Sequence, residues 1–164
     1  MKITLDTNAL DSDKSDLIEN ALSLQFDVAV TSVTERERKR PDLVARVRIT
    51  PEIFITDESP LSVGALGSDD DATIFEDLLK VISHGGFPAK GKRANLTPGE
   101  KTQLRDAMAF TSHVRDVRDI FVSDDLSGFI NHGRREYLEA TYQTRVMSIE
   151  EFRTYLENVK NGTA

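Results

Sequence analysis

Short apolar runs rich in β-branched residues alternate along this chain with stretches whose apolar residues recur every three or four positions. Lys2–Leu5 (KITL) reads as an opening strand and Asp27–Thr31 (DVAVT) as a second. Between them, Leu17, Ile18, Ala21, Leu22 and Leu24 fall on one face of a helix expected over Asp13–Leu24. Thr34 is placed to cap a further helix, with Glu37 three positions on completing a capping box and Pro41 limiting it. Residues 43–56 are apolar on both sides of Pro51 and read as two short extended pieces. Residues 57–69 and 84–95 have loop composition. Between these loops, Asp70–Ser83 predicts an amphipathic helix with Ile74, Phe75, Leu78, Leu79 and Ile82 as its buried stripe. Thr97 followed by Pro98 marks a helix start, and that helix is expected to run to about Val117. Asp119–Ser123 (DIFVS) is a third clear strand. A short helix near Ser127–His132, another over Arg134–Tyr142, a brief strand at Arg145–Met147 and a helix over Ile149–Val159 complete the chain. Strands alternating with helical patterns imply an α/β domain around a mainly parallel sheet.

The bulk properties add limits. A length of 164 residues implies one domain over 1–164. No apolar run approaches the roughly 20 residues of a membrane helix, and residues 1–25 lack the layout of a secretion signal. The absence of cysteine excludes disulfides and thiolate metal sites, and the expected location is the cytoplasm. A formal net charge of −7 argues against a basic, non-specific nucleic-acid coat protein. It leaves open an acidic metal site, because bound cations reverse part of the local charge.

In open α/β sheets, ligands bind beyond the carboxyl ends of the strands. Asp6-Thr7-Asn8 follows the first strand. Thr31-Ser32-Val33-Thr34 follows the second and leads to Glu35 and Glu37. Ser123-Asp124-Asp125 ends the third, and Asp106 lies in the helix feeding it. Each acid alone has an ordinary explanation as a cap, a turn former or a solvated residue. Together, parallel strands bring them to one edge, where two carboxylates about 4 Å apart repel by roughly 4 kcal/mol at an effective dielectric near 20. Such a cluster requires bound cations, basic partners or shared protons. Oxygen ligands without histidine or cysteine suit Mg²⁺ or Mn²⁺. The three histidines, His84, His113 and His132, have no zinc-like spacing and read as surface or half-buried structural residues. Phe75, Phe110 and Phe129 read as core.

The pattern resembles the PIN-domain ribonucleases, which include VapC-type toxins of toxin–antitoxin pairs. The resemblance is carried by ITLDTNAL at Ile3–Leu10, VTSVTERE at Val30–Glu37, RDAMAFTSHVRDVRDIFVSDDLSGF at Arg105–Phe129 and RVMSIEEF at Arg145–Phe152. It implies a PIN-like three-layer α/β/α fold and a metal-dependent nuclease acting on single-stranded RNA. It implies Asp6 as the central ligand of Mg²⁺ or Mn²⁺, with Glu37 (or Glu35), Asp106 and Asp125 (or Asp124) as the other acids. Asn8 and Ser123 would orient ligands or a metal-bound water. An antitoxin-like protein and a homodimer are the partners it suggests. The chain departs from the family in a longer insertion, at about 57–97, and in its doubled acids. Arg36, Arg38, Lys39 and Arg40 follow the candidate site as one basic cluster, and Lys90, Lys92 and Arg93 form another on the insertion; each reads either as a contact for substrate phosphates or as a solvated helix face and a soluble loop.

Two rivals remain open. A haloacid-dehalogenase-like phosphatase also places an aspartate after its first strand, but needs a second acid where this chain has Asn8. A PIN-like module that binds RNA or protein without cutting would tolerate loss of carboxylates, and here all four positions are filled.

Overall fold

A computed structural model describes residues 1–10, 15–37, 41–52 and 67–163, the side chains of residues 36 and 37 excepted. The strands are β1 (Lys2–Leu5), β2 (Asp27–Thr31), β3 (Arg48–Thr50), β4 (Ile120–Val122) and β5 (Arg145–Met147). They form one five-stranded sheet in the order β3-β2-β1-β4-β5, and every pairing is parallel. The helices are α1 (Ser15–Ser23), α2 (Ser32–Glu37), α3 (Pro41–Val44), α4 (Asp69–Ile82), α5 (Pro98–Arg115), α6 (Arg134–Tyr142) and α7 (Ile149–Asn161). The architecture is α/β, with helices on both faces of the sheet, as the alternating pattern predicts.

Register and alternation build the two faces. Ile3 lies level with Val28 and Ile120, and Leu5 with Val30 and Val122. Successive side chains of a strand point to opposite faces, so these six share one side. They pack there with Leu17 and Ile18 of α1, Leu43 and Val44 of α3, and Phe152 and Leu156 of α7. Phe121 and Val146 point the other way, onto Phe75, Leu78 and Leu79 of α4, Phe110 of α5, Phe129, and Leu138 of α6. The Phe110 ring lies 4.9 Å from Phe121 and 5.6 Å from Phe129. Burying each such ring contributes about 1.5–3 kcal/mol, so the three phenylalanines expected in the core act there.

Several boundaries differ from the sequence expectation. Helix α2 begins at Ser32 with no loop after β2, so Thr31, not Thr34, accepts the orphan N–H: Thr34 N donates to Thr31 Oγ1 at 3.3 Å. Pro41 opens α3 instead of only ending a helix, since proline at the first helical position has no N–H to satisfy. That helix takes in Leu43 and Val44, so just Arg48–Thr50 of the expected extended pieces is a described strand; residues 53–56 lie outside the described residues, as do 57–66 of the expected loop and the first two residues of the helix expected from Asp13. The short helix expected near Ser127 is a single wide turn over Leu126–Ile130, closed by Asn131 N to Leu126 O at 2.7 Å. In the stretch read as an insertion, α4 has its own capping box, Ser68 with Asp71. This helix supplies four residues to the core, so it is built into one layer of the domain.

The β5 edge is closed by a side chain. Val146 N, which faces away from β4, donates to Glu139 Oε1 at 2.8 Å. Unpaired edge groups invite strand addition. Replacing Glu139 by alanine is expected to lower stability by about 1 kcal/mol, read from the urea midpoint; an unchanged midpoint would show that water replaces the carboxylate.

Candidate functional site

The chain runs β1, β2, β3 in one direction and then crosses to the other side of β1 for β4 and β5. The carboxyl ends of β1 and β4 therefore flank the topological switch point, where open α/β sheets bind ligands. Asp6 stands at the end of β1, only 7% exposed, and its N–H continues the ladder to Val122 O at 3.0 Å. Its Oδ1 accepts from Thr7 N at 2.7 Å. Its Oδ2 accepts from Ser123 Oγ at 2.7 Å and Asn8 Nδ2 at 3.2 Å. Asn8 Nδ2 also reaches Ser123 Oγ at 3.2 Å, and Asn8 Oδ1 accepts from Asp124 N at 3.0 Å. Ser123 Oγ in turn accepts from Asp125 N at 3.0 Å. Asp6, Asn8, Ser123 and the Asp124-Asp125 backbone thus form one network across the switch point.

The doubled acids after β4 have separate tasks. Asp125 Oδ1 accepts from Ser127 N (3.1 Å), Ser127 Oγ (2.7 Å) and Gly128 N (2.9 Å), capping the wide turn. Asp124 Oδ1 accepts from Ile149 N at 3.0 Å at the start of α7. A Cβ added to Gly128 would lie 2.2 Å from Asp125 Oδ2, closer than any real contact. The carboxylate is the movable partner in that clash. Gly128→Ala is therefore expected to displace the Asp125 side chain while the fold persists. The Ser127 and Gly128 amide signals are expected to shift with little change in melting temperature; unchanged amide signals would show that the carboxylate stays in place.

Asp106 is half-buried in α5. His113, on the same helix, binds Thr4 Oγ1 of β1 through Nδ1 at 2.8 Å. Seven residues are two helical turns, so Asp106 lies on the same stripe, about 10 Å nearer the carboxyl edge. Thr4 and Asp6 share a face of β1 by the two-residue period. Helix and strand periodicity thus put Asp106 on the stripe of α5 that meets β1, and Asp6 on the face of β1 that meets α5. Helix α2 approaches from the β2 side, where Thr34 Oγ1 stands 3.2 Å from Thr31 Oγ1 and accepts from Thr7 Oγ1 at 3.5 Å. It carries Glu35, half-buried, and Glu37. The side chains of Glu37 and Arg36, and all of Arg38, Lys39 and Arg40, lie outside the described residues.

Among the described residues, no group of three or more His, Asp and Glu side chains forms a ready ion site. Carboxylate and hydroxyl oxygens are the donor type that hard divalent cations take.

The structure changes two further expectations. Arg93 is held by Glu76 through two bonds of 2.7 Å and lies 5.1 Å over the Phe87 ring, so it is occupied structurally; Lys90 and Lys92 are exposed. The Arg93 hydrogen bond also holds the Glu76 carboxyl below its usual value. His113 is fully buried instead of half-buried. Near Asp125, burial holds the Arg134 guanidinium below its usual value, offset in part by the Asp125 charge. One acid escaped the sequence reading. Glu52, two residues beyond β3, is fully buried, and its signal was a lone acid inside an apolar run.

No family model matches the chain, and no curated protein matches it. Fold and site define an open, all-parallel α/β protein with a carboxylate–amide–hydroxyl network at its switch point. No helix among the described residues is long and apolar enough to cross a membrane.

Proposed function

We propose that this chain is a metal-dependent nuclease of the PIN-domain kind that hydrolyses phosphodiester bonds in single-stranded RNA. The observation that carries this reading is the Asp6–Asn8–Ser123 network spanning the carboxyl ends of β1 and β4. Asp6, Asp106, Asp125 and Glu37 would hold Mg²⁺ or Mn²⁺, with Glu35 and Asp124 as the alternatives beside them. Such an ion, when bound, supplies an activated water and stabilises charge on the phosphoryl oxygens.

The protein's own contribution is orientation. Two donors on Asp6 Oδ2 and one on Oδ1 fix the plane of the carboxylate, so its geometry is set before substrate arrives. Ser123 couples that carboxylate to the backbone that positions Asp125. Asn8 has no proton to transfer, which disfavours a covalent phosphatase cycle and leaves Asp6 as a ligand. Arg36, Arg38, Lys39 and Arg40 follow directly and would meet the phosphates, making binding salt-dependent.

Labelled single-stranded RNA, incubated with the protein in Mn²⁺ or Mg²⁺, is expected to be cut and to be spared when a chelator is added. Matched single-stranded DNA shows whether the sugar is read. Cleavage that persists both with chelator and in Asp6→Asn would sink the proposal. The three donors on Asp125 Oδ1 favour a second reading, an RNA-binding module without catalysis. RNA retained but never cut, with either ion, would support that one.

A further inference from the structure

The buried carboxylate that the nuclease reading leaves unused is Glu52. It is fully buried, although it is the sole acid within Arg48–Glu52 and follows the edge strand β3. Its Oε2 accepts from Ser32 Oγ at 3.0 Å, and its backbone N donates to the same oxygen at 2.9 Å. One hydroxyl is thus bracketed by both ends of one residue, and that hydroxyl belongs to the first residue of α2.

Helix α2 packs Val33 into the core, and its start is held by hydrogen bonds as well. It begins immediately after β2, and at six residues it is too short to be stable by itself. Two hydrogen-bonded anchors hold its start. The Thr31–Thr34–Thr7 hydroxyl chain ties it to the residue that follows Asp6, and the Ser32–Glu52 pair ties it to the segment after β3. Ser32 and Glu35 lie three positions apart and share a helix face. Moving Ser32 therefore moves the helix that carries Glu35.

We propose that Glu52 is a positioning residue of the nuclease site: through Ser32 it fixes the start of α2 and so how that helix presents Glu35 to the cation held by Asp6. This rests on the nuclease reading. A buried carboxylate is costly unless hydrogen-bonded, so its retention at this point in the fold has a structural consequence of the same kind as an outer ligand partner.

The full chain is compared as wild type, Glu52→Ala and Glu52→Gln. Glutamine keeps the shape and one oxygen able to accept from Ser32. Hydrogen exchange of α2 amides reports the helix, Mn²⁺ titration reports the ion, and RNA cleavage reports the reaction. Glu52→Ala is expected to speed α2 exchange while α5 and β4 stay protected. It is also expected to weaken Mn²⁺ binding and kcat by about 10–100-fold, and Glu52→Gln is expected to restore most of both. Unchanged Mn²⁺ affinity in Glu52→Ala, or α2 exchange equal to wild type, overturns the role of Glu52 while leaving the nuclease reading intact. Wild-type protein that neither binds Mn²⁺ nor cuts RNA overturns the nuclease reading, and the Glu52 role with it.

Discussion

Asp6→Asn is expected to reduce metal-dependent RNA cleavage by more than about 100-fold, beyond the upper end of effects seen for groups that merely orient a ligand. The substitution removes the charge and reverses the polarity at one of two oxygens. In the wild type, Oδ1 meets Thr7 N–H, and Oδ2 meets Ser123 O–H and an Asn8 N–H. An asparagine has one acceptor oxygen for these two positions. Whichever way it turns, its NH₂ faces a donor, and Ser123 or Thr7 must find another partner. Relief of acid repulsion offsets part of that loss, so the melting temperature is expected to move by a few degrees at most. Cleavage and thermal unfolding measured on the same preparation separate the two effects. Activity within tenfold of wild type would show that Asp6 does not hold the ion.

Acid is expected to destabilise the protein through His113. This ring is buried between β1 and the start of β5, bound to Thr4 Oγ1 at 2.8 Å and Thr144 Oγ1 at 2.7 Å. Burial, with the Arg118 charge adding to it, pushes the imidazole down to about 3. The unfolded chain takes up that proton near 6.5, so between these values the unfolded state binds more protons. The contribution of His113 is complete above pH 6.5 and declines as pH falls toward 3. From pH 7.5 to pH 5 the loss is about 2 kcal/mol, against a total stability on the order of 5–15 kcal/mol. Urea midpoints at the two pH values measure it. His113→Gln keeps an amide that can serve the threonines and loses the titration, so its pH dependence is expected to be shallower. Equal shifts in both proteins would assign the dependence to other groups. Because His113 pins α5 to β1, the same protonation loosens the helix that carries Asp106.

The elements were legible because their causes are local. Ile74, Phe75, Leu78, Leu79 and Ile82 lie on one stripe whatever the rest of the chain does, and Thr97 with Pro98 starts a helix by its own backbone chemistry. Helix starts inside dense Thr/Ser stretches were less legible. Thr31 and Thr34 are chemically equivalent caps, and the end of β2, set by its pairing with β1, chose between them. Asp124 and Asp125 were equally ambiguous. The wide turn claims an oxygen of Asp125, and the start of α7 claims one of Asp124. The burial of Glu52 was not legible, because an acid in an apolar run reveals neither its burial nor the partner that makes burial tolerable.

By itself, the sequence determined the α/β class, the order of strands and helices, and Asp6 as an acid closing the first strand. These depend on apolar periodicity and capping, which act over a few residues. Only the tertiary structure decided that β4 lies against β1, and so brought Ser123 to within 2.7 Å of Asp6 across 117 positions of chain. Strand order is settled by which faces bury one another, a property of the whole sheet and its two helical layers. The switch point, and the link from Asp6 through Ser123 to the Asp125 backbone, exists only once that choice is made.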